Sequence, residues 1–515
     1  MAKFSPQDCL EDLLCYANTH LYLPLADNIY IRNKLLAKLR LDEPSSKSNP
    51  NEKDISKMKS PAPILAQLSD YAIANNIISE HQRVNFETEI MDLLCPPPSF
   101  VIDLFDQTAY EKGIKEACSF LYDYCIKSNY IRYEEVLSNL SWTAHCEKAD
   151  LEITINTSKP EKDNKKIAEV LKKPQTGYPK CQLCKENEGY PGRDDYNSRL
   201  TLRTIPILLN EEQWYFQYSP YRYYNEHCIV LSSEHVPMNV NPTTVVRLFD
   251  FIDLFPHYFL GSNASLPRVG GSILNHDHYQ GGAYKMPLHK AKVKYRFSSE
   301  DYPDVRILIP DWYNSVIRIE SQNRKSLEKL FEYILEHFLD YSNEELNIIA
   351  YTDERHNAVS PIARFNEDGE YSLDIILRNN RCDEAHPDGI FHVSPDLQNI
   401  KKEGIGLIEA MGVFILPGRL SKEAEGIKEF LLGKRQLKEL SDPNHPLVHH
   451  TGMIAQLIND YGTNLSDEDA GQAIENYINK ACEKILKCVA IFKDDDKGNK
   501  AFLQFMDSLG FKRII

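Results

Sequence analysis

The 515-residue sequence lacks any long apolar run, and it also has a deficit of positive charge. No stretch reaches the roughly 18–20 apolar residues that a membrane-spanning helix needs. The 59 Lys and Arg residues face 75 Asp and Glu residues, which gives a formal net charge of −16. Nucleic acids and anionic membranes require a cationic protein surface, so we expect neither as a partner. The opening residues MAKFSPQDCLEDLLCY place acids where a signal peptide needs an apolar segment, so we expect a cytoplasmic protein.

The sequence also lacks the regular cysteine spacing of a disulfide scaffold. Its twelve cysteines are scattered, and only Cys181 and Cys184 lie close together. In a reducing compartment, most cysteines behave as small buried apolar residues. The close pair requires a separate explanation.

The apolar pattern divides the chain into four parts. Apolar residues at steps of three and four predict a helical accessory region over 1–150. A lysine-rich connector, NTSKPEKDNKKIAEVLKKPQTGYPK, then precedes strand-like segments such as IPILLN and QWYFQYSP. We expect two α+β halves, 151–290 and 291–435, followed by a helical extension over 436–515. The overall prediction is an α+β fold with mixed and antiparallel sheets and helical ends.

Several local signals locate individual elements. Asn241 before Pro242 predicts a capped helix start, and Ser466 predicts another before DEDAGQAIENYINKACEKILKCV. The segment LNIIAYTD predicts a strand. One apolar helix face is predicted by residues Leu327, Leu330, Phe331, Ile334, Leu335 and Phe338.

The densest chemical signal is His276-Asp277-His278-Tyr279-Gln280. Alternation along an extended segment places His276, His278 and Gln280 on one side and the other two residues on the opposite side. Gly270, Gly271 and Ser272 precede the motif, and Gly281 and Gly282 follow it. Glycines let backbone N–H groups approach an anion, which is typical of phosphate sites.

This arrangement favours exchange between phosphates. A neutral imidazole is a competent nucleophile when its other nitrogen is held as a donor, and His278 is the central candidate. The Gln280 amide can donate to a phosphoryl oxygen but cannot protonate a leaving group. A phosphate leaving group does not need that proton, because its second pKa is about 6. The alternatives are a plain metal site or two hydrogen-bonded structural histidines.

Cys181-Gln-Leu-Cys184 forms half of a tetrahedral zinc site. The remaining ligands must come from distant residues, and His235 and His276 are the best candidates. A redox pair is disfavoured because no thioredoxin-like βαβ pattern surrounds the cysteines. A turn with two cysteines and no metal is the remaining alternative.

Taken together, several segments resemble one enzyme family. They are GGSILNHDHYQGG, IPILLNEEQWYFQYSPYRYYNEHCIVLSSEH, HNAVSPIARF, LRNNR and IKKEGIGLIEAMG. This set is similar to the Firmicutes-type (type 2) galactose-1-phosphate uridylyltransferases, and the similarity extends over most of the chain. The resemblance implies two related halves of the histidine-triad superfamily, a homodimer, and ping-pong UMP transfer from UDP-glucose to a hexose 1-phosphate.

The resemblance also assigns roles to residues. It implies that His278 carries the uridylyl group, that Gln280 holds a phosphoryl oxygen, and that the His276 carbonyl orients the nucleophile. Asn263, Gly270, Gly271 and Ser272 would lie near the nucleotide phosphates, and Lys402, Arg378 and Arg381 near the hexose phosphate. A structural zinc ion would be held by Cys181, Cys184, His235 and His276.

One departure from the family pattern and two alternative functions remain. The segment GIFHVSPDLQNIKKE has fewer histidines than the family pattern suggests, so we expect no second metal site, and no iron, there. One alternative is a nucleotidyl hydrolase or a dinucleoside polyphosphate phosphorylase of the same superfamily, although those hydrolases usually have a histidine where Gln280 stands. The other is a zinc-stabilised interaction protein without catalysis. Apart from zinc and the UDP-sugar substrate, no cofactor is expected.

Overall fold

The structure is a computed structural model that describes residues 5–46, 50–157, 177–193, 196–271 and 273–514. Most of the predicted lysine-rich connector, and Ser272 of the glycine-flanked motif, lie outside the described residues. Within the described residues, no helix is both long enough and apolar enough to span a bilayer.

Helices account for most of the chain before residue 138 and after residue 418. Several begin as the sequence predicts: the Asn241 side chain accepts from Thr244 N at 3.2 Å, and the Ser466 hydroxyl accepts from Asp469 N at 3.1 Å. These caps satisfy N–H groups that the first helical turn leaves unpaired. The described helices are α1 Pro6–His20, α2 Asn28–Leu39, α3 Glu52–Ile55, α4 Ala62–Ala74, α5 Arg83–Asp92, α6 Pro98–Lys112, α7 Ile114–Lys127, α8 Tyr133–Leu137, α9 Pro242–Leu254, α10 Arg324–Leu339, α11 Leu407–Ala410, α12 Arg419–Leu431, α13 Thr451–Tyr461, α14 Asp467–Val489 and α15 Asp496–Ser508.

Strands occupy the middle of the chain, where β-branched and aromatic residues alternate with polar ones. This confirms the predicted α+β class with mainly antiparallel pairing. The described strands are β1 Leu140–Ala144, β2 Leu151–Asn156, β3 Ile205–Leu209, β4 Glu212–Tyr218, β5 Cys228–Ser232, β6 Phe259–Gly261, β7 His278–Gly282, β8 Val293–Ser298, β9 Arg306–Pro310, β10 Val316–Ser321, β11 Asn357–Phe365, β12 Tyr371–Asn379, β13 Val413–Pro417 and β14 Lys512–Arg513.

The chain forms two compact units. The first comprises the described parts of Met1–Leu137, Lys162–Leu208 and Glu212–His235. It contains α1 to α8 and strands in the order β5-β4-β3, with β4 and β5 antiparallel; Leu209, the last residue of β3, is assigned to the second unit. Its helices bury leucines such as Leu13, Leu65 and Leu121, as the helical periodicity predicts.

The second unit comprises the described parts of Ser138–Glu161, Leu209–Glu211 and Val236–Ile515. Eight of its strands follow the order β14-β8-β9-β10-β12-β11-β6-β7, and each neighbouring pair among them is antiparallel. A second sheet, β1-β2-β13, contains the parallel pair β2–β13. The predicted apolar face of α10 is fully or nearly fully buried. The division at residues 150, 290 and 435 stays a prediction.

The predicted strand LNIIAYTD is wrong. Its residues form only the isolated bridges Asn343–Ile348 and Tyr351–Arg355. Asn347 adopts a left-handed backbone with φ of 60°, which ends a short 3-10 helix and interrupts any extended run. The apolar residues of this segment, such as Ile348, are therefore buried in a loop and not in a strand.

Candidate active site

His278 is the first residue of β7, and its orientation is fixed by a neighbour in the chain. Its Nδ1 lies 2.8 Å from the carbonyl oxygen of His276. A carbonyl can only accept, so Nδ1 must carry the proton and donate it. The lone pair of the neutral ring is then on Nε2, the atom that would attack a phosphorus.

The protonation state of His278 agrees with this role. The side chain is buried, and burial lowers the pKa of the imidazole to about 4, against the opposing effect of the His276 carbonyl. The ring is therefore neutral at cellular pH. A neutral imidazole with a fixed tautomer is a ready nucleophile.

The side chains of Asp277 and Tyr279, which alternate with His278 along the chain, are directed toward helix α9. Asp277 Oδ2 lies 4.0 Å from Arg247 Nη1, and the Tyr279 hydroxyl lies 3.4 Å from the same nitrogen. Asp277 and Tyr279 thus lie on the α9 side, as the predicted alternation requires. Gln280, two residues after His278, is partly exposed and pairs with Gly261 of β6. The side chains of His278 and Gln280 consequently leave the strand on the other side.

Close backbone packing explains the glycines that flank the motif. A Cβ atom on Gly281 would lie 2.2 Å from the carbonyl oxygen of Phe259, and one on Gly270 would lie 2.3 Å from that of Ala264. At Gly271, a Cβ would lie 3.0 Å from the side-chain nitrogen of Asn263. The segment therefore requires glycine at Gly270 and Gly281 to fold, independently of any ligand.

Asn263 and Arg378 both hold the segment at residues 405–407. The Asn263 side-chain oxygen accepts from Leu407 N at 2.9 Å, at the first residue of α11. Arg378 donates from Nη2 to the carbonyl oxygen of Ile405 at 2.7 Å. Only 2% of Arg378 is exposed, so a role as simple surface charge is excluded. Burial lowers its pKa to about 10.

The two other predicted phosphate contacts lie in different surroundings. Lys402 is exposed. Arg381 is half-buried and donates from Nη2 to the carbonyl oxygen of Asn347 at 3.2 Å. The preceding lysine, Lys401, is buried and forms an ion pair with Glu409 at 2.8 Å. Of the adjacent lysines, only Lys402 therefore presents its ammonium group to solvent.

In the first unit, Cys181, Cys184 and His235 converge as the sequence predicts. The two sulfurs lie 3.6 Å apart, and Cys184 Sγ lies 3.2 Å from His235 Nδ1. Zinc–sulfur bonds of about 2.3 Å in a tetrahedron give a sulfur–sulfur edge of about 3.8 Å, so the donors fit zinc. Asn187 donates to the carbonyl oxygens of both cysteines at 2.8 Å and thereby fixes the turn. His276, the fourth predicted ligand, is a buried residue of the second unit.

The second unit holds another group of ligand-type residues that sequence reasoning missed. Glu423 lies 3.1 Å from His449 Nε2 and 3.0 Å from His450 Nε2. Arg419 Nη1 also lies 2.6 Å from the same carboxylate. The adjacent histidines are visible in the sequence, but their partner lies 27 residues before His450. Because Arg419 already neutralises the carboxylate, we interpret the group as an ion-pair cluster.

Sequence comparisons give the family. The profile described as galactose-1-phosphate uridyl transferase, N-terminal domain, matches residues 23–237, and the C-terminal domain profile matches residues 222–445. A galactose-1-phosphate uridylyltransferase of Caldanaerobacter subterraneus is 44% identical over 98% of both chains. Those of Fusobacterium nucleatum and Bacillus subtilis are 43% and 38% identical, over 97% and 98% of this chain and 98% of each relative.

A search of solved structures matches the crystal structure of yeast Ap4A phosphorylase Apa2. The identity is 11%, the TM-score is 0.31, and the match covers 59% of this chain and 92% of the yeast chain. The family follows instead from the two profile matches and the near full-length relatives. On that basis, the chain belongs to the galactose-1-phosphate uridylyltransferase family.

Proposed function

We propose that this chain transfers UMP from UDP-glucose to a hexose 1-phosphate, normally galactose 1-phosphate, as a step of the Leloir pathway of galactose metabolism. The observation that carries the proposal is the fixed tautomer of His278, whose Nδ1 donates to the His276 carbonyl. Family membership supplies the substrates, because the near full-length relatives are named for this activity.

The reaction proceeds in two displacements at the α-phosphorus. Nε2 of His278 attacks that phosphorus, the P–N bond forms, and the bond to glucose 1-phosphate breaks. The leaving phosphate departs as an anion and needs no proton from Gln280. A phosphate oxygen of galactose 1-phosphate then attacks the uridylyl-histidine, the P–N bond breaks, and UDP-galactose forms. His278 returns to its neutral state.

The remaining site residues bind and orient the substrates. Gln280 donates from its amide to a non-bridging oxygen of the transferred phosphoryl group, and its partial exposure supports this role. We assign the nucleotide phosphates to Asn263, Gly270, Gly271 and Ser272, as the family resemblance implies; Ser272 lies outside the described residues. Lys402 contacts the hexose phosphate, supported by its exposed ammonium group. Arg378 and Arg381 complete the cationic side of that site.

A covalent adduct provides the direct test. Incubation with UDP-glucose alone, followed by a denaturing quench at alkaline pH, should give intact protein that is heavier by one uridylyl group. His278→Gln should remain unmodified, while His145→Gln, a change at a largely exposed histidine, should be modified like the wild type. Absence of the adduct in wild-type protein, together with no acceptor-dependent turnover, would contradict the proposal.

An acceptor panel separates transferase from hydrolase and phosphorylase activity. Water, inorganic phosphate and galactose 1-phosphate are compared as acceptors for the uridylyl group. We expect galactose 1-phosphate to give the fastest turnover. Faster release of UMP in water, or of UDP with phosphate, would favour the alternatives.

A structural zinc ion belongs to the same proposal. Cys181, Cys184 and His235 would hold it, with His276 as the fourth ligand, and the ion would tie the CxxC turn to the end of β5 without entering the reaction. Metal analysis should find about one zinc per chain, the stoichiometry of a single tetrahedral site. Cys184→Ser should lose the metal, whereas Cys382→Ser should retain it. Full zinc content in Cys184→Ser would contradict the assignment.

Two properties of the family complete the proposal. The enzyme acts as a homodimer, as the family resemblance implies, and in the cytoplasm, as the acidic N-terminal residues predict. Sedimentation of the purified protein would test the dimer, and a mass equal to one chain would contradict it.

A further inference from the structure

The first unit contains a cavity that neither UMP transfer nor the proposed zinc site uses. Its volume is about 460 Å³, and segments near α3, α7, α8 and the β4–β5 connection surround it. Cavities of roughly 300–1,000 Å³ are typical of small-molecule sites. The residues that matter for its chemistry are Lys57, Lys59, Lys127, Arg222, Tyr122 and Tyr133.

The charge of the cavity opposes that of the chain. Four cationic side chains line it, and Asp123 is the single carboxylate among its lining residues. Lys127 lies 3.7 Å from Asp123, which leaves Lys57, Lys59 and Arg222 without an ion-pair partner among the described residues. The chain has a net charge of −16 and contains 75 Asp and Glu residues, yet only Asp123 lines this cavity. Unpaired cations around one concavity repel each other, and a bound anion would relieve that repulsion.

Arg222 is held in position for such an anion. Its Nε donates to the Tyr122 hydroxyl, and its guanidinium carbon lies 5.2 Å from the centre of the Tyr133 ring. Tyr122 is itself buried, so the anchor is rigid. The hydrogen bond and the cation–π contact both hold the guanidinium, and the terminal N–H groups of Arg222 have no hydrogen-bond partner among the described residues. This fork geometry matches the oxygens of a phosphate.

We propose that this cavity binds a small phosphate monoester, with Arg222 and Lys127 on the phosphate and the two loop lysines, Lys57 and Lys59, closing over it. The volume exceeds that of a phosphate group, and the Tyr122 and Tyr133 side chains are among the residues that line it. The site goes beyond UMP transfer, because neither His278 nor Gln280 lines it.

Calorimetric titration of the full chain tests the proposal with two probes, glucose 6-phosphate and inorganic phosphate. Glucose 6-phosphate should bind saturably and more tightly than inorganic phosphate, and added salt should weaken both. The double variant Lys57→Ala/Lys59→Ala should raise Kd about tenfold, as expected when charged hydrogen bonds are lost. Both lysines are exposed, so the variant should fold like wild type, and its UMP transfer rate should equal that of wild type.

The control variant Lys112→Ala/Lys115→Ala removes the same charge from exposed positions of the first unit outside the cavity. It should bind glucose 6-phosphate like wild type. Equal weakening in both double variants would overturn the proposal, since that result indicates net charge alone. Unchanged binding in Lys57→Ala/Lys59→Ala, or no saturable binding by wild type, would also overturn it. Equal affinity for the two probes would exclude the monoester. Binding requires no turnover, so these results do not depend on the proposed function.

Discussion

His278 and His450 are both buried imidazoles of the second unit, but their partners give them different chemistry. His278 has a backbone carbonyl at Nδ1, which leaves Nε2 with a free lone pair for attack. His450 has the Asn399 amide at Nδ1, at 3.0 Å, and the Glu423 carboxylate at Nε2, at 3.0 Å. Both of its nitrogens are engaged. Burial is therefore similar at the two sites, and the hydrogen-bond partner decides which histidine can react.

Replacement of His278 should give the largest effect. His278→Gly removes the attacking nitrogen, and we expect UMP transfer to fall by about four orders of magnitude or more, as when other covalent nucleophiles are removed. Steady-state rates with UDP-glucose and galactose 1-phosphate measure the loss. Circular dichroism should show that the variant is folded. A variant with a tenth of the wild-type rate, which is far above that expectation, would make His278 dispensable.

The backbone beside His278 should be the next most sensitive feature. In Gly281→Ala, the new methyl group would overlap the Phe259 carbonyl oxygen, and we expect a loss of about 3 kcal/mol in unfolding free energy. Urea denaturation measures it. A stability equal to wild type would show that β6 and β7 can separate without cost.

At the other imidazole, the expected loss is structural alone. His450→Ala removes one hydrogen-bond partner of Glu423 and the Nδ1 partner of the Asn399 amide, and it should lower the unfolding free energy by about 2 kcal/mol. UMP transfer per folded molecule should stay at the wild-type level. A fall in kcat at unchanged stability would assign His450 to the reaction and remove the contrast with His278.

Acid should weaken the Glu423 cluster. Burial raises the pKa of the Glu423 carboxyl, but hydrogen bonds from His450 and Arg419 outweigh burial and hold the pKa below its usual value. A carboxyl with a lowered folded pKa stabilises the protein above its unfolded pKa, and that contribution disappears as the pH falls through the folded value. Glu423→Gln should therefore show a smaller loss of stability than wild type below about pH 4.3. Identical profiles would contradict the assignment.

The smallest effect is expected at Gly452, two residues after His450 in helix α13. A Cβ atom there would meet no neighbour within 4 Å. Gly452→Ala should raise the unfolding free energy by about 0.5 kcal/mol, because alanine loses less backbone entropy in a helix. The opposite signs expected for Gly452→Ala and Gly281→Ala form a matched pair. If both substitutions lowered the unfolding free energy, the expected difference between Gly452 and Gly281 would be refuted.

Local signals predicted much of the fold. Two helix caps, at Asn241 and Ser466, and the buried face of α10 were predicted correctly. Each depends on residues within a few positions of each other, so a short stretch of sequence is enough to predict it. The alternation around His278 is equally local. The segment LNIIAYTD failed because a single left-handed residue, Asn347, outweighed its apolar composition.

Long-range contacts could not be predicted in the same way. Arg378 contacts a carbonyl oxygen 27 residues later, and Glu423 accepts from a histidine at the same separation. Nothing in the local pattern distinguishes a buried arginine from an exposed one, because the difference lies in which loop folds over it. The sequence therefore predicts the local geometry around His278 better than it predicts the long-range contacts of Arg378 and Glu423.

The contacts of Asn263 and Arg378 with residues 405–407 affect a segment close to Lys402 in the chain. Gly406 lies between those two contacts, and a Cβ on it would lie 3.4 Å from the Asn263 side-chain oxygen. If Lys402 contacts the incoming hexose phosphate as proposed, a substitution at position 263 would reposition that lysine without any change at the lysine itself. Acceptor preference would then depend on a residue that a comparison of hexose-phosphate contacts overlooks.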